Sequence, residues 1–273
     1  MSRILCSTGA LMGRANGYDY RQMDVLAGTL ACDGFELMMF RSWYENPAAF
    51  LRYFTERQFC IPVVHCQKGI GESISIGGDA ETREALRQFS DDCAVAKEIG
   101  ARKLVLHLWG GLASDGNFHR NLDAYPRVCE IAAEFGLELL IENVVCNVSN
   151  PAARLCELRA RYPEVKIVFD TKMAAFHTQL EALYEADSTW MWKEGHICHY
   201  HVNDYGGGYM DWGNLRTLPI GRGHIDFDRF FAFVRASGYA GDFTVEATAF
   251  DGSGVVDTAM LNEQFRYIRT QIS

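Results

Sequence analysis

Eight times along the chain, a short run rich in apolar and β-branched residues gives way to a longer amphipathic stretch. This alternation is the feature that most narrows the fold. The short runs are Ile4–Thr8, Gly34–Phe40, Ile61–Gln67, Lys103–Trp109, Leu137–Val145, Val165–Asp170, Ile197–Asn203 and Phe243–Ala247. The long ones are Tyr20–Ala31, Ala48–Arg57, Asp79–Ile99, Leu122–Phe135, Pro151–Tyr162, Leu180–Trp192, Phe227–Ser237 and Asp257–Gln271. Within Asp79–Ile99, Leu86, Phe89, Cys93, Ala96 and Ile99 recur at three- and four-residue steps, the stripe of a helix with one buried face. Gly100, Gly136, Gly195 and Gly238 stand between a helical pattern and the next strand, where a left-handed C-cap is wanted. Strands separated by helices run parallel, because each crossover needs a connection of that length. Eight such units in 273 residues have the count and size of a single (β/α)8 TIM barrel, an α/β fold. The rival is an open doubly wound sheet, which carries a glycine fingerprint after its first strand. None is present, and Gly221-Arg222-Gly223 is too short and follows no strand. No Pro/Ser-rich linker interrupts the pattern, so residues 1–273 read as one domain.

Bulk properties exclude several function classes. Apolar residues make up 48% and charged residues 22%, the balance of a soluble chain with a full core. The net charge is −9 and no basic cluster stands out, which argues against binding to nucleic acid. No run approaches eighteen uninterrupted apolar residues, so no membrane span is expected. The opening Met1-Ser2-Arg3-Ile4-Leu5-Cys6-Ser7 enters a strand-like run without the features of a signal peptide. Nine cysteines, an odd number with no C-x-x-C pair, point away from a disulfide framework and toward a reducing cytoplasm. Whether the chain forms a homo-oligomer is left open.

In a (β/α)8 barrel the active site forms at the C-terminal ends of the strands. Six consecutive strand candidates carry an ionisable residue there: His65, His107, Glu142, Asp170, His201 and Glu246, each among apolar neighbours. A lone histidine such as His107 can be a hydrogen-bonded core residue, and a single Glu at a strand end can merely cap the next helix. But Glu142, Asp170 and Glu246 would converge on one barrel mouth, where three carboxylates repel one another unless neutralised. A divalent cation is the simplest partner. Two Glu, one Asp and one His make an oxygen-rich set suited to Mn²⁺, Mg²⁺ or Co²⁺ and tolerant of Zn²⁺.

At these residues the chain resembles the xylose-isomerase-like barrel superfamily, which includes sugar and sugar-phosphate isomerases and epimerases and the endonuclease IV enzymes. The resemblance rests on Ile141-Glu142-Asn143, Phe169-Asp170-Thr171, His201-Val202-Asn203-Asp204, Gly221-Arg222-Gly223-His224-Ile225-Asp226-Phe227 and Val245-Glu246-Ala247-Thr248. Each motif is short, and their order and spacing make the set specific at superfamily level. The resemblance implies one divalent metal ion held by Glu142, Asp170, His201 and Glu246, the arrangement of ketose 3-epimerases. It also implies that Glu142 and Glu246 act as the two bases on opposite sides of the reacting carbon of a sugar-like substrate, through a cis-enediolate. His65 and His107 are candidates to bind substrate hydroxyls or to support the metal ligands. Glu36 resembles the family's acidic position on strand two. Arg216 stands where related epimerases place a substrate-binding arginine, and equally reads as a surface residue.

The departures matter as much. Endonucleases of this superfamily have Asp-Thr-x-His, whereas here Asp170-Thr171-Lys172 is followed by Met173; Asp211-Trp212-Gly213 keeps the later carboxylate and loses the imidazole. A phosphodiesterase of that type is therefore the weakest reading. A dehydratase or lyase of the inosose dehydratase kind is the stronger alternative, and a barrel that keeps the motif as a non-catalytic site is another. Lys172, after the Asp170 turn, reads as a surface lysine, and if it points inward it could meet an anionic substrate. No phosphate-binding glycine loop is evident beyond Gly206–Gly208, which points to a non-phosphorylated substrate. Phe40–Tyr44 and Tyr205–Trp212 are aromatic stretches that either stack on a sugar or pack loop on loop.

Overall fold

A computed structural model describes residues 2–273. Eight parallel strands follow one another in chain order around a closed barrel. They are β1 (Ile4–Ser7), β2 (Gly34–Met38), β3 (Val63–His65), β4 (Lys103–Leu106), β5 (Glu138–Glu142), β6 (Ile167–Asp170), β7 (Ile197–Val202) and β8 (Asp242–Val245). All eight expected strands form, each shorter than its apolar run. Chain contacts fall into two compact units, Met1–Glu36 with Phe169–Ser273, and Leu37–Val168, the divisions lying inside β2 and β6.

In the first unit β1 pairs with both β2 and β8, and β7 pairs with β8 with His201 opposite Thr244. Strand periodicity decides which side each residue faces. His199 and His201 carry one face of β7, while Tyr200 between them stacks on Phe243 and meets Phe230 edge-on under the helix Phe227–Ala236. The expected helix Leu180–Trp192 is instead three short turns, because Glu185 adopts extended backbone between two of them. Tyr20–Ala31 is helical only to Thr29, an α-turn at Met23–Leu26 set directly between two 3₁₀ turns before Leu30 becomes extended.

In the second unit β3, β4 and β5 pair in sequence, and Glu142 of β5 stands opposite Val168 of β6. The helix Phe118–Glu134 starts four residues before the expected Leu122 and carries Pro126 in its interior. Proline has no N–H, so the carbonyl four residues earlier, Leu122 O, lacks its helical donor. The Tyr162 hydroxyl supplies one at 2.8 Å. The four glycines expected to end helices all have φ between +70° and +81°.

Buried aspartates tether the loops that leave the strand ends. Asp115 accepts the backbone N–H groups of Asn147, Val148 and Ser149 and the Arg154 guanidinium, at 2.8–2.9 Å. Burial pushes its carboxyl up, and these donors outweigh burial and hold it below the usual range. Asp204 collects N–H groups from Tyr205, Gly221, Gly223 and Ile225 at 2.8–3.1 Å. Gly223 is obligatory there, since a Cβ would stand 2.2 Å from Tyr205 O and 2.4 Å from the Asp204 carboxylate. Asp92, fully buried, accepts from the Tyr44 hydroxyl and from Gln67 N, tying the segment after β2 to the end of β3.

Burial raises the Asp92 carboxyl to about 7 despite those two donors. A raised folded-state value means the native chain keeps a proton that the unfolded chain releases, so this carboxyl's contribution is present at low pH and lost as pH rises through about 7. Asp92→Asn, neutral throughout, should therefore flatten the fall of unfolding free energy between pH 4 and 7, by on the order of 4 kcal/mol at most. Urea unfolding at stepped pH measures it; parallel curves for variant and wild type would refute it.

Candidate active site

The first unit gathers a polar cluster inside its strands. Glu36 is fully buried, and its carboxylate lies 3.0 Å from His201 Nε2 and 3.1 Å from His199 Nε2, while the Thr244 hydroxyl donates to it at 2.8 Å. Burial pushes the Glu36 carboxyl up, and His201 and His199 outweigh it, holding it well below the usual range. A neutral His201 ring that donates its Nε2–H to Glu36 would present the Nδ1 lone pair on its other side. That nitrogen lies 3.6 Å from Glu246 Oε2. Two lone-pair atoms facing each other at this distance are the natural neighbours of one shared cation.

Asp170 completes this face. It caps the helix Thr171–Phe176, accepting Met173 N at 2.8 Å through Oδ1, and accepts the Asn203 side-chain amide at 2.9 Å through Oδ2. Asn203 in turn accepts Glu246 N at 3.1 Å, so one amide links the ends of β6 and β8. Thr171 locks the same corner, donating to Asn203 O and accepting Asn203 N at 2.7 and 3.0 Å. Donor atoms of Asp170, His201 and Glu246 lie within 4.8 Å of one another, as do those of Glu36, His199 and His201. Two oxygens and an imidazole nitrogen, all buried, are the donor chemistry of a Mn²⁺, Mg²⁺ or Zn²⁺ site, so these residues fit the implied ion.

The second unit holds Glu142 with His65 and His107. Nε2 of His107 and of His65 lie 2.9 and 3.2 Å from the same oxygen, Glu142 Oε2. His65 Nδ1 is 2.8 Å from the Cys66 carbonyl, which can only accept, so that nitrogen carries a hydrogen. The contact from His65 Nε2 to the carboxylate then needs a second proton, or a cation, between its atoms. Burial depresses the His107 imidazole to about 4, so it is the neutral donor of the pair. Both histidines therefore support Glu142. These three residues also form a candidate cation group.

Other expected residues fall differently. Arg216 is exposed on the loop after β7. Lys172, read from sequence as a surface residue, is 6% exposed, with Nζ donating to Thr217 Oγ1 at 3.0 Å. The aromatic stretches pack. Trp43 stacks on Phe50, and Tyr205 and Trp212 both meet Phe176 edge-on. Gly207 serves that packing, since a Cβ would lie 2.3 Å from the Tyr205 hydroxyl. Sequence reasoning passed over His199 and Thr244, and quoted Asn203 within a motif without giving it a role. The period-two pair His199/His201 was the signal for the first and the motif His201-Val202-Asn203-Asp204 for Asn203, whereas Thr244 carries no pattern that marks it.

Residues 17–270 match the model of the xylose isomerase-like TIM barrel family, and the chain belongs to that family. A comparison with curated proteins gave no match. Among solved structures, the chain is similar to an L-ribulose 3-epimerase, with 18% identity, TM-score 0.71 and coverage of 100% of this chain and 95% of that one. It is also similar to an IolI protein with a bound zinc atom (15%, TM-score 0.69, 98% and 96%). A third is the probable 3-DHS dehydratase AsbF of Bacillus anthracis (14%, TM-score 0.69, 98% and 99%). At these identities the likeness is one of fold. No helix among the described residues is long and apolar enough to cross a membrane.

Because Asn203 links Asp170 to the backbone of Glu246, Asn203→Ala should cost about 1–3 kcal/mol of stability. It should also weaken uptake of Mn²⁺ by about 10–100-fold. Denaturant unfolding and metal titration measure the two effects, and unchanged metal affinity would show that Asn203 does not position the ligands.

Proposed function

We propose that this chain is a divalent-metal-dependent isomerase or epimerase of a ketose or ketose-like substrate, with Glu142, Asp170, His201 and Glu246 holding one ion. The observation that carries the reading is the His201 arrangement: Glu36 on one nitrogen, the Glu246 carboxylate 3.6 Å from the other, and Asp170 in the same group. Glu142 enters through strand order. It ends β5 opposite Val168, and Asp170 lies two residues beyond Val168 on the neighbouring strand, hence on the same side. Family membership and the fold likeness to a ketose 3-epimerase support the sugar-like substrate.

When bound, the ion would supply Lewis acidity that eases formation of negative charge on the substrate's carbonyl and adjacent hydroxyl. The remaining work falls to the chain. One of Glu142 and Glu246 removes the proton from the carbon next to the carbonyl, and the other returns a proton to the opposite face of the cis-enediolate. His65 and His107 hold the Glu142 carboxylate and set how many protons it shares. Glu36 and His199 keep His201 in one tautomer, and Asn203 keeps Asp170 and Glu246 in place. We assign Arg216, on its exposed loop, to a distal hydroxyl of the substrate.

Mn²⁺-loaded protein incubated with a ketose panel in D₂O should exchange a proton alpha to the carbonyl. Glu142→Gln and Glu246→Gln should each lower that exchange about 10²–10⁴-fold with the fold intact. Chelation should abolish it, and elemental analysis should count one ion per chain. Exchange with no ketose, or full activity in both variants, would remove the mechanism. The dehydratase reading uses the same carboxylates and has a fold relative in AsbF; a new ultraviolet absorbance from a cyclic ketone would select it. Three ions per chain would select phosphodiester hydrolysis.

A further inference from the structure

Resting on that reading, we propose that the substrate carries an anionic group, a carboxylate or phosphate, that binds the ammonium of Lys172. Lys172 is 6% exposed, and its one side-chain hydrogen bond among the described residues runs to a neutral acceptor, Thr217 Oγ1 at 3.0 Å. It has no ion-pair partner among the described residues. Burying an ammonium against a single hydroxyl leaves most of its desolvation uncompensated, and two of its three hydrogens unspent. Helix polarity makes the placement worse. Lys172 lies in the first turn of the helix Thr171–Phe176, at the positive end of the peptide dipoles, where a cation is disfavoured.

The surroundings account for it as a recognition group. Lys172 follows Asp170 by two residues. Its partner Thr217 accepts Thr248 N through its carbonyl at 3.2 Å, and Thr248 follows Glu246 by two residues. The ammonium thus sits at the rim of β6 and β8, one short step beyond two of the proposed metal ligands. The Thr217 hydroxyl, accepting from Lys172, keeps its own hydrogen to donate to the same incoming oxygen. One ammonium offsets one negative charge, which favours a carboxylate on the end of the ketose away from its reacting carbon.

Fructose, fructuronate and fructose 6-phosphate share one ketose frame and differ at the terminal carbon: alcohol, carboxylate or phosphate. Calorimetric titration of each into Mn²⁺-loaded wild type and Lys172→Met tests the assignment. Wild type should bind fructuronate about tenfold or more tighter than fructose, the size of one charge-assisted hydrogen bond. Lys172→Met should bring that ratio to about one, leave fructose affinity within about twofold, and melt no lower than wild type, since it removes a buried unpaired charge. A gain with fructose 6-phosphate in place of fructuronate would support the assignment and identify the anion as a phosphate. Equal affinity for all three ligands in wild type, or an anion preference that survives in Lys172→Met, would overturn it and leave the ketose reading standing. Binding of none of the three would remove the ketose reading, and this inference with it.

Discussion

Negative charge brought together out of water has to be neutralised, and the ends of these strands are arranged around that requirement. Glu36 meets it with two imidazoles and a hydroxyl. Its effect passes along β7. By taking one nitrogen of His201 it decides what the other nitrogen presents, and the Glu246 carboxylate faces that nitrogen. A buried carboxylate placed behind a histidine gives the ring a defined tautomer and orientation, which a metal-binding imidazole needs. The same logic runs in the second unit, where two imidazoles converge on one oxygen of Glu142.

The aspartates divide between two kinds of work that their sequence contexts do not separate. Asp92, Asp115 and Asp204 spend their oxygens on backbone N–H groups and neighbouring side chains, and so hold loops. Asp170 does a little of each, capping a helix with one oxygen while its carboxylate belongs to the cation group. A short helix begins immediately after it, which accounts for Asp, a favoured N-cap residue, at that position.

Most of the strand framework was legible because apolar runs and helical stripes are strong periodic signals, and all eight strands lie where those runs are. Glu142, Asp170, His201 and Glu246 were legible because ionisable residues inside apolar strands are costly and therefore stand out. Three features were hidden. Glu185 breaks an expected helix through backbone conformation alone, which composition does not reveal. Tyr162 repairs the hydrogen bond missing at Pro126 from 36 positions away in the chain, a tertiary rescue with no local trace. Lys172 was read toward the surface with an inward position left open, because lysines are so commonly solvated, and its packing against Thr217 decides for the interior.

The Asp204 carboxylate closes the base of a loop. N–H groups of residues 205, 221, 223 and 225 share this one acceptor group, so both ends of the segment leaving β7 are drawn to a single buried side chain. Arg216 and Thr217 lie between those ends, and removal of this one carboxyl would take four tethers from the base of the loop that carries them.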